Sequence, residues 1–416
     1  VLALVAGHFA AAVLHPLRWW GPKDLSIYHH VAEVFREGGD YYDVASMRGR
    51  YGAGASDKTV FAFTSPPSSV PFYWPLALLP LGAATVAWRA LNVALLALTG
   101  ALLWSALKTS THVPPSCVWP AVLLTASEPV RITLRIGQVG IVVLFFLALS
   151  LWGVSRRRAV ATALGVVLGA ALKVLPGFLL LHPLFRRDRR VLVAAGATGA
   201  LALAAVVWIG GVHPWRAWFS RVLPAVSAPV AYYGNQSVAG TLRRLAGGPP
   251  TTPPAFNFAF ERLPDPRTPL ERTIPFAVAA LAIGITLWAM GPDRGGDVLR
   301  LQMEYAAMIP LMLLVAPLVW EFYLAWLIVP FTVALAWLAD RPLPRGVQMT
   351  LVVVLSSAWL LVQSDTVDTY ARPSWPVALM SLGLLANALV LSATLALLSR
   401  GRSGSPARIP PAAVRA

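Results

Sequence analysis

Cysteine is nearly missing: Cys117 is the only one in 416 residues. One thiol excludes an internal disulfide and any metal cluster held by several thiolates. Charge is also scarce, at 12% of residues, where soluble domains carry about 25%. Acids are the scarcer sign, 18 Asp and Glu against 34 Lys and Arg. The chain has no Gly-rich phosphate loop, no Walker pattern and no recognisable Ser/His/Asp arrangement. Soluble nucleotide-sugar transferases often hold their donor on an Asp-x-Asp metal site. The first long polar loop has none, which argues against a nucleotide-sugar donor.

Apolar residues are abundant: 57% are hydrophobic, 16 are Trp, and mean hydropathy is +0.65. Apolar windows recur at 1–16, 65–80, 83–107, 116–129, 132–154, 159–185, 191–210, 274–290, 299–317, 322–339, 347–362 and 375–398. Most approach the roughly 20 residues needed to cross a hydrocarbon core about 30 Å thick. Such spans must be helical, because lipid offers the backbone no hydrogen bonds. The expected fold is therefore an all-α polytopic bundle of about 11–13 transmembrane helices in one domain, residues 1–398. Residues 1–16 lack a basic flank and a clear cleavage site, so they read as a first span and not as a signal peptide. The stretch 399–416, basic and rich in Pro and Gly, is expected to be a disordered cytoplasmic tail.

The net charge of +16 does not point to nucleic acid, because the arginines cluster in short loops between apolar spans. Placing Arg156-Arg157-Arg158, the Arg186–Arg190 run, Arg341/Arg345 and the tail in the cytoplasm gives a consistent orientation. The first loop (18–64), a large central loop (211–272) and the turns near Trp320 and Asp365 then lie outside. Trp19, Trp20, Trp215, Trp218, Trp320 and Trp375 fall at the interfaces, as in aromatic belts. Residues 159–185 have arginine clusters at both ends and Lys173, Pro176 and Gly177 near the centre. Two short halves turning near Lys173 satisfy the charge rule. They would leave Lys173 at the bottom of an outward-facing cavity.

Asp24 stands out as an acid at the exit of the first span. Ile27, Val31, Val34 and Phe35 form one face of a helix whose other side carries Ser26, His30, Glu33, Arg36 and Glu37. Such a helix should lie along the membrane surface with Asp24 at its start, as a helix cap, a catalytic base or both. His29-His30 suggests a metal, but no third ligand is evident at usable spacing, and no metal is expected.

Lys173 and Arg135 lie in apolar surroundings where a bare cation is costly. They suit an anionic headgroup such as a lipid phosphate, or an internal ion pair. Arg89 and Asn92, one turn apart, could serve a headgroup or pair with each other. Gln138 could bond a sugar hydroxyl or satisfy a helix end. Asn235 and Gln236, near Tyr232 and Tyr233, suit either a sugar or a turn. Trp320 and Glu321 suit a polyol site or an interfacial belt. Glu304, near a cytoplasmic end, reads as an ordinary solvated acid.

Taken in order, these segments resemble the polyprenyl-phosphate-sugar-dependent transferases of the GT-C superfamily, in particular glycosyltransferase family 87, an actinobacterial α-mannosyltransferase group. The resemblance rests on Asp24-Leu25-Ser26-Ile27-Tyr28 with Gly38-Gly39 and Tyr42-Asp43, then on Phe63-Thr64-Ser65-Pro66-Pro67 and the run Pro75 to Pro80. It continues through Gly137-Gln138, Leu172-Lys173-Val174-Leu175-Pro176, Gly234-Asn235-Gln236-Ser237 and Pro317-Leu318-Val319-Trp320-Glu321. The family typically has one or two His after Trp-Glu or Trp-Asp, where this chain has Phe322-Tyr323.

The resemblance implies a bacterial plasma-membrane glycosyltransferase with an extracytoplasmic active site and Asp24 as general base. It implies a polyprenyl-phosphate mannose donor, a lipid-linked or polysaccharide acceptor, inversion and no cofactor. Tyr28, Arg89, Arg135, Gln138, Lys173, Asn235, Gln236, Trp320 and Glu321 would contact substrate. An arabinofuranosyl donor is the alternative within the family. A lipid or sugar transporter is the alternative outside it, since an intramembrane Lys in a broken helix also suits transport.

Overall fold

A computed structural model describes residues 23–43, 46–47, 63–110, 119–228, 231, 234–247, 268–292, 296–363 and 380–403. The first span, Trp19, Trp20, Tyr232, Tyr233 and Trp375 lie outside the described residues. Among those described, all regular structure is helical apart from one isolated bridge between Asn235 and Trp320.

Helix α1 (Lys23–Arg36) is the anticipated amphipathic helix, with Leu25, Tyr28, Val31 and Ala32 buried. Protein, not lipid, covers that face. The helix packs on the short turns Val70–Tyr73 and Trp74–Leu78. Arg36 Nη1 also donates to the Ala77 carbonyl at 3.0 Å.

These turns correct one expectation. Residues 65–80 are not a span but a string of short helices, Pro67–Ser69, Val70–Tyr73 and Trp74–Leu78. Pro66, Pro67, Pro71, Pro75 and Pro80 interrupt the stretch, and each lacks the N–H that a continuing helix needs. Helix α2 (Leu81–Leu107) follows, 27 residues and roughly 40 Å long.

A second correction concerns 132–154, expected as one span. It divides into the end of α3 (Glu128–Ile136) and α4 (Gly140–Ser155). Gly137 takes φ 74, a left-handed helix cap whose N–H bonds the Thr133 carbonyl, and glycine adopts that conformation without a Cβ penalty. The break holds Gln138 between two helix ends.

Helices α4 and α5 (Ala159–Leu172) pack as a close hairpin. A Cβ on Gly153 would lie 2.5 Å from Thr162 N, and one on Gly165 would lie 2.7 Å from Ser150 Cβ. Helix α5 is 14 residues, roughly 21 Å, too short to cross the core alone. It ends where Lys173 turns extended, with φ −144 and ψ 121. The short helices Leu175–Leu180 and Leu181–Phe185 then fold back: a Cβ on Gly177 would sit 3.5 Å from Ala170 Cβ. In a continuous helix, residues seven apart are separated by about 10 Å. The broken segment anticipated from its flanking arginines is present.

The remaining long helices are α6 (Arg189–Gly210), α7 (Val238–Gly247), α8 (Pro269–Met290), α9 (Val298–Val315), α10 (Ile328–Asp340), α11 (Arg345–Val362) and α12 (Leu382–Ser403). Helix α12 runs into the stretch expected as a tail, and 404–416 lie outside the described residues. Seven helices among those described are long and apolar enough to cross a membrane: α2, α6, α8, α9, Glu321–Asp340, α11 and α12. The chain is an all-α polytopic membrane protein. At its centre lie α9 and Glu321–Asp340, most of whose residues are buried, whereas α6 buries few of its residues and turns Val193, Leu201 and Trp208 outward.

Glu304 is not a solvated acid. It is 2% exposed, with Arg186 Nη2 at 2.5 Å and Arg300 Nε at 3.2 Å from its Oε1. Both guanidinium groups also donate to the Met290 carbonyl, which closes a network joining the end of α8, α9 and the Arg186 turn.

Candidate active site

Helix α1 presents Asp24 and Tyr28 one turn apart, facing the break between α3 and α4. Gln138 Nε2 donates to Asp24 Oδ2 at 2.5 Å. Gln138 Oε1 accepts from the Tyr28 hydroxyl and from the Val139 N–H, the latter at 2.9 Å. The Val139 N–H can only donate, so the Gln138 oxygen must face it. The amide nitrogen is thereby left for the carboxylate. Tyr28 stacks on Tyr73 at 4.3 Å, with Phe63 and Trp88 against its edges. Burial, with Tyr73 and the Asp24 charge adding to it, holds the Tyr28 phenol well above its ordinary pKa, so it stays a donor.

Lys173 reaches the same place from the broken segment. It is 8% exposed, and its ammonium lies 5.7 Å from the Tyr323 ring centroid. The Asp24 charge acts on Lys173 and Tyr323 alike. Among the described residues no carboxylate lies within ion-pairing distance of Lys173, a costly arrangement for a buried cation without an anion. Ser68 Oγ donates to the Ala171 carbonyl at 2.8 Å and ties the first turn of 67–78 to this corner.

Tyr323 is the site residue that sequence reasoning missed. Its ring stacks on Trp326 at 4.6 Å, and Trp326 Nε1 donates to the Gly140 carbonyl at 3.0 Å. The signal was available, since Phe322-Tyr323 stands where the resembled family carries histidine.

The other expected residues form a second group. Asn235 and Gln236 are buried, and their side chains act as backbone braces. Asn235 Oδ1 accepts from the Val319 and Ser237 N–H groups at 3.2 and 3.1 Å. Gln236 Nε2 donates to the Met380 carbonyl at 3.0 Å, and its Oε1 accepts from the Gly383 N–H at 3.1 Å. Trp320 stacks on Phe322, and Glu321 lines a small cleft with Pro129, Ile132, Leu324 and Leu361. Asp24 and Lys173 do not line that cleft. The segment Glu321–Leu327 touches both groups, through Glu321 on one side and Tyr323 on the other.

Arg135 lies one turn before Gln138, half-buried. Arg89 adjoins Trp88 and does not pair with Asn92, whose amide donates to the Trp88 carbonyl at 2.8 Å. Glu33 stands beside His29-His30 as a third candidate ligand that spacing did not reveal: the ligand atoms of His29, His30 and Glu33 all lie within 4.8 Å of one another. The cluster around Asp24 combines a partly accessible carboxylate aimed by an amide with a nearby buried cation that has no ion-pair partner among the described residues. That pairing can accept a proton and stabilise an anion in adjacent positions.

The model of glycosyltransferase family 87 matches residues 63–317, which include Arg89, Arg135, Gln138, Lys173, Asn235 and Gln236. A polyprenol-phosphate-mannose-dependent alpha-(1-2)-phosphatidylinositol mannoside mannosyltransferase of Mycobacterium tuberculosis is 29% identical over 243 residues, covering 54% of this chain and 54% of that protein. The enzyme of the same description from Mycolicibacterium smegmatis is 28% identical over 300 residues, covering 67% of this chain and 62% of that protein. The chain thus spans between 54% and 62% of the length of these relatives. No solved structure gives a significant match to it.

Proposed function

Since the chain belongs to glycosyltransferase family 87, we propose that it transfers mannose from a polyprenyl-phosphate donor to a hydroxyl of a glycolipid acceptor on the outer face of the plasma membrane. The observation that carries this reading is the Asp24 carboxylate, aimed by Gln138 Nε2 at 2.5 Å, beside the buried Lys173. Asp24 removes the proton of the acceptor hydroxyl, and that oxygen attacks C1 of the sugar. The bond from C1 to the phosphate oxygen breaks, its electron pair leaves with the polyprenyl phosphate, and the anomeric configuration inverts. Lys173 neutralises the leaving phosphate, charge stabilisation aimed at where negative charge develops. No metal is needed at the reacting atoms, because that positive charge is built into the chain.

The curated relatives are named for a phosphatidylinositol mannoside acceptor and a polyprenol-phosphate-mannose donor. An acceptor of that class, a mannosylated phospholipid, is the reading carried to this chain. The Phe322-Tyr323 pair in place of histidine bears on the donor sugar, so a polyprenyl-phosphate arabinose is the comparison to make. Purified full-length chain in lipid nanodiscs is to be given labelled polyprenyl-phosphate mannose or arabinose, with a phosphatidylinositol mannoside acceptor. The expected result is mannose transfer by the native chain and none by Asp24→Asn at equal donor binding. Transfer of neither sugar, or unchanged transfer by Asp24→Asn, overturns the assignment.

A further inference from the structure

We propose that His29, His30 and Glu33 form a binding site for a divalent first-row transition ion of the zinc class, one turn along α1 from the candidate catalytic pair. The hydrogen-bond geometry of His29 carries the argument. Its Nε2 lies 2.8 Å from the Leu79 carbonyl. A carbonyl can only accept, so Nε2 bears the proton. The other ring nitrogen, Nδ1, is buried and has no hydrogen-bond partner among the described residues. It faces Glu33 Oε2 at 3.7 Å, too far for a hydrogen bond.

In the neutral imidazole this sets a lone pair against a carboxylate oxygen, two acceptors with nothing between them. His30 Nδ1 approaches the same carboxylate oxygen at 3.0 Å. A cation resolves the conflict. Tetrahedral coordination at zinc distances puts ligand atoms about 3.3 Å apart. The separations of 3.0 and 3.7 Å bracket that value, and all three ligand atoms fall within 4.8 Å of one another.

The surroundings fit as well. A ligating histidine usually donates its second N–H to a carbonyl or carboxylate, which fixes the ring and its tautomer. The Leu79 carbonyl does this for His29. Two imidazoles and one carboxylate select zinc, cobalt, nickel or copper over magnesium and calcium, which prefer all-oxygen sites. His29, His30 and Glu33 side chains are 5%, 15% and 26% exposed, so the set opens to solvent on the Glu33 side, where water completes the coordination. Binding displaces the proton shared by His30 Nδ1 and Glu33 Oε2, because a ligating imidazole nitrogen must be free of it. The ion touches no reacting atom. It staples the α1 turn after Tyr28 and holds the helix against the Leu79 loop, so its effect on transfer is one of positioning.

The test uses tag-free, chelator-stripped full-length protein in detergent, titrated with Co²⁺ and, separately, with Zn²⁺ and Mg²⁺. The expected result is the strong visible absorption of four-coordinate cobalt, saturating at about one ion per chain. A zinc-dependent rise in Tm that magnesium does not reproduce should accompany it, and both signals should vanish in Glu33→Gln and in His29→Gln. Glu33 is the more exposed position and keeps the test usable should the buried His29 variant fail to fold. Absence of the cobalt band in the native chain means that a proton alone sits between these groups and overturns the site. Persistence of the band in Glu33→Gln assigns the ion elsewhere and overturns it equally.

Discussion

Gln138 holds Asp24 by its amide nitrogen while its oxygen takes the Tyr28 hydroxyl, so one side chain from the α3–α4 break fixes two turns of α1. The bond from Gln138 fixes the direction in which the Asp24 carboxylate points. A base held this way loses rate when its support is removed, even though its own chemistry is intact.

Gln138→Leu keeps the volume and removes both bonds. Transfer should fall on the order of 10–10²-fold, the scale set by misplacing a reacting group. The Tyr28 hydroxyl is then buried without an acceptor, at a cost of about 1–3 kcal/mol. Tyr28→Phe removes the donor but leaves the Gln138–Asp24 bond, so it should retain far more activity than Gln138→Leu. Steady-state transfer and thermal unfolding of both variants check this; equal activity loss in the two would refute the orienting role.

Lys173 is buried beside Tyr323 with its ammonium 5.7 Å from the ring centroid. If it acts on the leaving phosphate, Lys173→Met should lower kcat on the order of 10²-fold, the loss seen when a charge-stabilising donor is removed. Tyr323→Phe keeps the ring face that the ammonium meets and should stay near native activity, whereas Tyr323→Ala should not. A Lys173→Met variant with native kcat and a raised KM alone would assign the residue to ground-state binding instead.

Periodicity and charge made some of this architecture legible. The spacing of Ile27, Val31 and Val34 showed α1, and the arginines flanking 159–185 showed a broken segment with Lys173 at the turn. What stayed hidden depended on partners distant in sequence. Glu304 read as solvated because Arg186, its partner, lies 118 residues away. Asn235 and Gln236 read as suiting either a sugar or a turn, because an amide looks the same whether it faces a hydroxyl or a backbone group such as those of Val319 and Met380. The Gly137 break was missed for a local reason. One glycine in an apolar run does not disturb hydropathy, and only its φ of 74 shows that the helix ends there.

Gly165 is where α5 meets α4 most closely. A Cβ there would collide with the Phe146 carbonyl oxygen and sit 2.7 Å from Ser150 Cβ and N. Gly165→Ala should therefore destabilise by about 1–3 kcal/mol, the usual cost of overpacking. Gly284→Ala, in α8 with nothing within 4 Å of the added Cβ, should be neutral or stabilising by up to about 1 kcal/mol. Thermal unfolding of the two variants side by side separates packing from helix propensity, and an equal response would contradict the close hairpin.

Glu304 is the sole carboxylate between the side chains of Arg186 and Arg300 in the described network; Glu304 and Arg300 are buried and Arg186 is partly so. Glu304→Gln keeps the shape and an acceptor oxygen but removes the carboxylate charge that both guanidinium groups face. Breaking a buried pair in this way costs about 3–5 kcal/mol, more than the pair contributes relative to an apolar core. The variant should unfold at a clearly lower temperature than the native chain. The double change Glu304→Gln with Arg300→Met should recover part of the loss, because it removes one of the two guanidinium charges that the Glu304 carboxylate balances. Failure of that recovery would show that Arg300 stabilises through its bonds to the Met290 and Leu398 carbonyls and not through charge.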